Sequence, residues 1–297
     1  MPSPSETLAH ALGGRKSGVN WMARCPAHDD SEPSLSLREA DDGRLLVHCH
    51  AGCGQRKVIE ALQHRGLWPT DGKVRWVADE SRGPHAITRE DRDRTASALL
   101  LWGQAVPPTG MRIKAYLRSR GITRPIPSTL KYHPTLVHPS GSAYPAMIAI
   151  VALGTDNRPV GIHRTFLDPI GIGKAAVKPN KMMLGPCRGG AVRLGALSKP
   201  LLIGEGIETC LAAMQATGLS AWAALSTSGL ITLTLAREIT DVVILADGDT
   251  PGERAAVSAA KRWTAEGRRI RIARAPLGMD FNDILCRDDR NPQLGNL

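Results

Sequence analysis

The sequence predicts a multidomain α/β protein, with a small β unit at the N-terminus, a basic α+β subdomain in the middle and a mainly parallel sheet at the C-terminus. Three observations predict this order. Half of the 6 cysteines fall between residues 25 and 53, a polar stretch follows Trp68-Pro69, and strands alternate with helices from Lys199 onward. The predicted boundaries are 1–68, 69–106 for a linker and helix, 107–198, and 199–297.

Composition narrows the class of protein. A chain of 297 residues can form two or three domains, and its formal charge of +10 favours an anionic partner, most commonly nucleic acid. A generally basic soluble protein is the alternative. The N-terminus lacks a signal-peptide pattern, and no apolar run has the length of a membrane span. We therefore expect a cytoplasmic protein without membrane contacts, in which clustered cysteines indicate a metal site.

The N-terminal unit carries two pairs of metal-ligand residues. Cys25 and His28 form a C-x-x-H pair, and Cys49 and Cys53 form a C-x-x-x-C pair. Between the pairs lie two predicted strands, SLSLRE and RLLVHC, joined by an Asp-Gly turn that is typical of hairpins. A hairpin would bring both pairs to the same end of the unit.

Three cysteines and one histidine suit a tetrahedral Zn²⁺ site. Four protein ligands leave no open position, so the predicted zinc is structural. A unit with few apolar residues needs such a metal cross-link to fold. His48 and His50 are alternative ligands, and Cys53 is preferred to His50 as the fourth. Chance proximity of reduced cysteines is the remaining explanation.

The motifs CPAH, D-x-x-PSLSL and VHCHAGC, followed by the predicted helix VIEAL, resemble the N-terminal zinc-binding domain of bacterial and phage DNA primases. The ligand positions of that family fall on Cys25, His28, Cys49 and Cys53. The resemblance implies that this zinc-ribbon-like unit helps to choose the template site. The longer C-x-x-x-C spacing is more similar to the versions in phage and plasmid proteins.

The middle of the chain combines helices, a hairpin and many cations. Residues 70–95 are predicted as a linker, followed by the helices DRTASALLLWGQA and MRIKAYLRSRG, the second with Gly121 as its C-cap. The apolar run AMIAIVAL and the segment VGIHRTFL predict a hairpin. The Gly-rich segment 158–199 is interpreted as flexible, and Asp168 alone opposes its cations, which include Arg164, Lys174, Lys178, Lys181, Arg188, Arg193 and Lys199.

Flexible basic segments of this kind can follow a phosphate backbone, although any one of these residues is more simply explained as a solvated surface cation. The stretches HRTFL, with Arg164, and NKMMLGP, with Lys181, resemble the small subdomain of bacterial primases. The resemblance implies that Arg164 and Lys181 face the nucleotide or the template. Lys178 is assigned with them to nucleic-acid binding.

From Lys199 the predicted strands are PLLIGEG, AWAALS, DVVILADGD and RRIRIARAP, and the predicted helices are IETCLAAMQATG and PGERAAVSAAKRWTAEG. This alternation indicates a mainly parallel sheet with helices on both faces. In such sheets the functional groups lie at the carboxyl ends of the strands.

Acidic residues follow three of these strands. They are Glu205, the pair Asp247 and Asp249, and the pair Asp280 and Asp283. Carboxylates gathered at one edge repel each other, and a bound divalent cation relieves that repulsion; oxygen ligands of this type suit Mg²⁺ or Mn²⁺. For Asp280 the alternative is a helix cap before FNDIL.

The motif GEG, the D-x-D of ADGDTPG and the stretch GMDFNDIL resemble the Toprim domain of bacterial-type primases, topoisomerases and some nucleases. The resemblance implies a Rossmann-like domain in which Asp247 and Asp249 hold Mg²⁺ and Glu205 is either a ligand or a general acid-base. Asp283 is assigned as a further ligand. Glu208 either assists or is an ordinary polar residue of a first helical turn.

The order of these parts predicts a DNA primase of phage, plasmid or mobile-element type, with single-stranded DNA and NTPs as substrates and a separate helicase as partner. The alternatives are a Toprim nuclease and a non-catalytic, zinc-containing DNA-binding accessory. A topoisomerase is disfavoured because all three tyrosines, Tyr116, Tyr132 and Tyr144, lie upstream of the acidic motifs.

Overall fold

The computed structural model describes residues 3–18, 20–30, 33–40, 43–49, 53–68, 88–108, 111–170 and 173–288. The chain divides into two compact units, an N-terminal unit of Met1–Ala86 and a C-terminal unit of Ile87–Leu297. Most of the predicted linker, residues 69–87, lies outside the described residues. Among the helices that are described, none combines the length and the apolar character of a membrane-spanning segment.

The N-terminal unit is a four-stranded antiparallel sheet with two helices. Its elements are α1 (Pro4–Ala11), β1 (Arg15–Ser17), β2 (Asn20–Ala23), β3 (Leu35–Glu39), β4 (Leu45–Cys49) and α2 (Gln55–His64). The strands lie in chain order. The predicted hairpin is confirmed, since β3 and β4 pair antiparallel with Leu35 opposite Cys49.

Alternate residues of the hairpin form the core of this unit. Leu35 and Leu37 of β3 and Val47 of β4 are buried, and they belong to one cluster with Val58 and Leu62 of α2. Cys25 and Cys49 lie in the same cluster. Two of the four candidate metal ligands are therefore part of the small core itself.

The C-terminal unit contains the remaining elements. They are α3 (Arg89–Gln104), α4 (Met111–Ser119), β5 (Leu130–Val137), β6 (Ala143–Leu153), β7 (Pro159–Phe166), β8 (Lys181–Leu184), β9 (Gly190–Arg193), β10 (Leu201–Gly204), α5 (Ile207–Thr217), β11 (Ala221–Ala223), α6 (Thr227–Thr232), β12 (Asp241–Ala246), α7 (Thr250–Ala265), β13 (Arg269–Arg274) and α8 (Phe281–Asp288).

One nine-stranded sheet runs through the described part of this unit, in the order β13-β12-β10-β11-β9-β6-β7-β8, with β5 also paired to β6. Strands β10 to β13 pair in parallel, as the alternation of strands and helices predicted. Strands β5 to β9 are antiparallel, and β9 pairs with β11. The sheet therefore continues across the predicted boundary at 198/199.

Side-chain alternation along β10 shows that both faces of the parallel part are covered. Leu202 lies in a cluster with Leu211 of α5, whereas Leu201 and Ile203 lie in a cluster with Trp263 of α7. α5 packs against β10 and β11, and α7 packs against β12 and β13. The predicted α/β class, with helices on both faces, is confirmed.

The predicted hairpin of AMIAIVAL and VGIHRTFL is confirmed, since β6 and β7 pair antiparallel. Two other expectations about the middle of the chain are corrected. The rest of the segment 158–199, interpreted as flexible, contributes the strands β8 and β9, whose short sequences next to glycines and prolines show no strand periodicity. Thr165 of β7 pairs with Lys181 of β8. Helix α3 also begins earlier than the predicted DRTASALLLWGQA, because Thr88 and Asp91 form a capping box.

Gly248 sits in the turn between β12 and α7, and the structure leaves no room there for a side chain. A Cβ would overlap the carbonyl oxygen of Pro276 and lie 3.0 Å from that of Met279. We expect Gly248→Ala to lower the free energy of unfolding by about 2 kcal/mol in urea denaturation.

The matched control is Gly103→Ala in α3, where no atom lies within 4 Å of the added Cβ. That variant should be neutral or more stable by up to about 1 kcal/mol, because alanine is the better helix former. Equal stabilities for the two variants would contradict the close approach at Gly248.

Candidate zinc centre and acidic cleft

The four predicted zinc ligands meet at one end of the N-terminal sheet. Cys25 follows β2, Cys49 ends β4, and Cys53 precedes α2. The ligand atoms of these cysteines and of His28 all lie within 4.8 Å of one another, and the described residues contain no other such group. His28 Nδ1 is 3.3 Å from Cys53 Sγ and 3.9 Å from Cys49 Sγ.

His48, one of the two alternative ligands, does not belong to this group. His48 is exposed, and it precedes Cys49 on β4, so the two side chains point to opposite faces of the strand. His50 lies outside the described residues. The structure thus places Cys53 beside the other three ligands.

Asp30 orients the site, a role that the motif D-x-x-PSLSL did not reveal. One carboxylate oxygen accepts hydrogen bonds from the backbone N–H of Cys25 at 2.6 Å and from the Ser34 hydroxyl at 2.7 Å. The other oxygen lies 3.4 Å from His28 Nε2. The contact turns His28 Nδ1 toward the cysteines, as carboxylates commonly do behind metal-bound histidines.

The chemistry of the four groups fits one Zn²⁺. Contact with Cys49 and burial raise the pKa of the Cys25 thiol, and burial together with Cys49 raises the pKa of Cys53. Thiols with raised pKa values keep their protons unless a cation compensates the thiolates. Three sulfur atoms and one imidazole nitrogen form a complete tetrahedral donor set.

The acidic residues of the C-terminal unit lie where parallel strands end. Glu205 follows β10, Asp247 follows β12, and Asp280 lies between β13 and α8. β10 and β12 are neighbours in register, with Gly204 opposite Leu245. Glu205, Asp247 and Asp280 therefore line one cleft at the carboxyl edge of the sheet.

Burial and mutual repulsion set the pKa values of these acids. Burial, with Asp247 and Asp249, raises the pKa of Glu205 to about 8. Burial, with Asp280 and Asp249, raises the pKa of Asp247 to about 6. Each ionised group disfavours ionisation of its neighbour.

Glu205 and Asp247 each have an oxygen that fits a divalent cation. Glu205 Oε1 and Asp247 Oδ1 are buried and have no hydrogen-bond partner among the described residues. Unpaired buried oxygens are costly, and hard carboxylate oxygens are the ligands that Mg²⁺ prefers. The acids are not gathered as closely as the zinc ligands. That spacing suits Mg²⁺, which binds one or two carboxylates and keeps several waters.

The other acids are engaged with backbone. Asp249 is exposed and caps α7 by accepting a 2.6 Å hydrogen bond from the N–H of Gly252. Asp283 accepts from the N–H of Asp280 at 3.1 Å, and Asp280 accepts from the N–H of Asp283 at 2.8 Å. The alternative of a helix cap at Asp280 is thus observed, and Asp280 faces the cleft as well. A ligand role for Asp249 or Asp283 stays a prediction.

Cations line the opposite wall of the cleft. Lys174 and Lys181 both contact Glu208, with Nζ to carboxylate distances of 3.5 and 3.2 Å. Arg120, at the end of α4, also lines the cleft, and the Tyr116 hydroxyl donates to Glu208. Lys181 was predicted on motif grounds. Arg120 and Tyr116 were missed. No local sequence pattern shows that α4, which lies more than eighty residues before Glu205 in the chain, reaches the cleft.

Glu205 and Glu208 lie three residues apart and have opposite electrostatic surroundings. Burial would raise the pKa of Glu208, but Lys181, Lys174 and the hydrogen bond from Tyr116 outweigh it and hold that pKa well below the usual range. Glu208 therefore stays ionised, whereas Glu205 can be protonated near neutral pH.

Two predicted cations lie outside the cleft lining. Arg164 is half-buried and donates to the carbonyl oxygen of Met183 at 3.2 Å. Side chains alternate along β7, so Arg164 points to the other face of the sheet from its neighbour His163. His163 is the residue that lies near Lys181 and Glu208. Lys178 is exposed on the loop before β8. Their assigned roles remain predictions.

Comparison with known families supports the C-terminal assignment. Residues 200–290 match the Toprim domain, so the predicted Toprim domain is confirmed. Residues 92–194 match a domain of unknown function, DUF7146. No curated protein matches the chain.

Among solved structures, the chain is similar to bacterial and phage primases. The zinc-binding and RNA polymerase domains of the Aquifex aeolicus primase match at 15% identity and a TM-score of 0.42, covering 97% of this chain and 83% of that one. The RNA polymerase domain of Mycobacterium tuberculosis primase DnaG matches at 17% and 0.42, covering 68% and 81%. The primase fragment of the bacteriophage T7 primase-helicase matches at 14% and 0.38, covering 91% and 97%.

We expect Cys49→Ser to release zinc from the purified protein, because the hydroxyl is a far weaker Zn²⁺ ligand than a thiolate. Elemental analysis should give about one zinc per chain in the parent protein and close to none in the variant. Cys286→Ser, in α8 of the C-terminal unit, is the control and should keep its zinc. Full zinc content in the Cys49 variant would contradict the ligand set.

Glu205 should make the C-terminal unit less stable as the pH rises. Its folded pKa of about 8 lies above the unfolded value. The associated stability is therefore complete below about pH 4 and is lost as the pH rises through 8. We expect Glu205→Gln to remove this loss and to be more stable than the parent by about 2 kcal/mol at pH 9, in buffer without added Mg²⁺.

Urea unfolding at pH 6 and pH 9 measures this difference. Glu253→Gln, in the first turn of α7 where Glu253 pairs with Arg274 away from the acidic residues, is the control and should keep the pH dependence of the parent protein. The same dependence in Glu205→Gln would show that Glu205 is not the titrating group.

Proposed function

We propose that this protein is a DNA primase of phage, plasmid or mobile-element type, which makes short RNA primers on single-stranded DNA by divalent-metal-dependent nucleotidyl transfer. One observation carries the proposal. In a single cleft, the unpaired buried oxygens of Glu205 and Asp247 face the lysine pair Lys174 and Lys181. Such a cleft suits a metal ion on one wall and a polyphosphate on the other.

The proposed reaction places heavy demands on electrostatics. A 3′-hydroxyl attacks the α-phosphate of a nucleoside triphosphate, pyrophosphate leaves, and negative charge builds on the phosphoryl oxygens. Mg²⁺ or Mn²⁺, when bound, neutralises that charge and activates the attacking oxygen. Asp247 and Glu205 would hold the ion, and Lys174 and Lys181 would bind the phosphates.

Glu205 has two proposed roles, metal ligand or general acid-base. Its pKa of about 8 lies close to the working pH, where a carboxyl group can both accept and return a proton. As a base it would accept the proton of the 3′-hydroxyl. As a ligand it would stay ionised beside the cation.

The remaining features support a nucleic-acid substrate. The net charge of +10 favours binding to a phosphate backbone, and half-buried Arg164 and exposed Lys178 are proposed to contact it. The zinc unit is proposed to contact the template. A cytoplasmic location is part of the proposal, because reduced thiols are needed for the zinc site. A separate helicase would supply single-stranded template.

One assay separates this function from its alternatives. The protein is incubated with circular single-stranded DNA, labelled NTPs and Mg²⁺, and the products are resolved on a denaturing gel. Short labelled RNA supports the primase. Shortened template with no RNA would indicate a Toprim nuclease, and an unchanged template that is only retarded on a native gel would indicate a DNA-binding accessory.

Asp247→Ala should abolish primer synthesis, by about 10³-fold or more, because it removes a central carboxylate of the acidic wall. Binding to single-stranded DNA, measured by fluorescence anisotropy, should be nearly unchanged. Asp156→Asn is the matched control, since Asp156 is an exposed residue of the β6–β7 turn, and it should retain full activity. Undiminished synthesis by Asp247→Ala would contradict the metal assignment.

A further inference from the structure

Glu208 joins three segments of the C-terminal unit that are far apart in the chain. It lies in the first turn of α5, and it contacts Lys174 in the β7–β8 loop, Lys181 at the start of β8 and Tyr116 in α4. The two lysines approach different carboxylate oxygens, Lys174 at 3.5 Å from Oε1 and Lys181 at 3.2 Å from Oε2. The carboxylate therefore sets the positions of both ammonium groups.

The two lysines need such a counter-charge. Glu208 is 4% exposed, and the lysine side chains are only 29% and 36% exposed. Two half-buried ammonium groups repel each other, and burial lowers the pKa of Lys174. Without Glu208 the two ammonium groups would move apart, so the pair depends on this buried carboxylate.

Glu208 is the carboxylate that pairs with the two lysines, and the described groups next to the pair on the same wall add no second negative charge. His163 is buried beneath the pair, and burial, then Lys181, lowers its pKa to about 4, so it stays neutral. Arg120 adds a further cation to the same wall. Each ammonium group has three N–H donors, so the contact with Glu208 leaves donors for an anion in the cleft.

We propose that Glu208 is a positioning residue, which fixes Lys174 and Lys181 as a two-point site for the triphosphate of the incoming nucleotide. This inference rests on the proposed function and assigns the substrate contact of its cationic wall. Glu208 itself is too buried to reach the nucleotide. It acts through the two lysines, and Tyr116, which donates to Oε1, keeps the carboxylate in the orientation that serves both.

Glu208→Gln tests the proposal because it keeps the shape of the side chain and removes its charge, while the amide NH2 replaces one accepting oxygen with a donor. We expect the KM for NTP in primer synthesis to rise by about tenfold, equivalent to about 1.4 kcal/mol of binding, with a smaller change in kcat. Tyr116→Phe, which leaves the carboxylate in place, should raise the KM by less. The control Glu253→Gln should leave both constants unchanged.

A purely structural role predicts a different result. Glu208→Gln would then lower the melting temperature and the fraction of active enzyme, so that kcat falls while the KM for NTP stays constant. That outcome would overturn the proposal. An unchanged KM together with an unchanged melting temperature would overturn it as well.

Binding of inorganic triphosphate without divalent metal separates this proposal from the proposed function. Isothermal titration calorimetry should show that Glu208→Gln binds inorganic triphosphate about tenfold more weakly than the parent protein. If the parent makes no primers but shows this difference, the positioning role stands and the primase function fails. If the parent makes primers but the two proteins bind triphosphate equally, the positioning role fails and the primase function stands.

Discussion

Repulsion between two half-buried carboxylates is the constraint around which the C-terminal unit is arranged. The parallel pairing of β10 and β12 brings Glu205 and Asp247 to the same edge of the sheet, and partial burial reduces the screening of their charges by water. Two like charges held close together do not by themselves stabilise a fold. The proximity becomes useful when a cation is bound, which is why enzymes keep perturbed carboxylates in clefts.

Two carboxylates within four residues of chain, those of Glu205 and Glu208, have different surroundings that compensate their charge. Glu205 faces other acids, and a proton or a bound cation would compensate its charge, whereas Glu208 faces lysines and is already compensated. One wall of the cleft thus carries acids that fit a cation, and the other carries the lysine cations. The boundary between the two walls is the start of α5, where the backbone turns from strand into helix.

The sequence was informative wherever the deciding contacts were local. Strand periodicity located β10 and β12, and the rule that functional groups follow parallel strands placed Glu205 and Asp247 together. The Asp-Gly turn between two predicted strands likewise placed the zinc ligands at one end of the N-terminal unit, where they are found. Tyr116 could not be found in this way, because its partner Glu208 is distant in the chain and only the folded sheet brings α4 beside α5. Arg164 shows the converse, since its motif was visible but strand alternation points it away from Lys181.

The pairing of β9 with β11 joins the segment matched by DUF7146 to the Toprim segment through one ladder, with Trp222 opposite Arg193 and Ala223 opposite Val192. A cut between the two segments would leave the edge of β11 unpaired. Exposed strand edges can pair with other chains and promote aggregation. Opening this junction would break the backbone hydrogen bonds of the ladder, so the pairing opposes a hinge between the two segments. The shared sheet connects the two walls of the cleft through paired strands, with Lys181 in β8 on one side and the ends of β10 and β12 on the other.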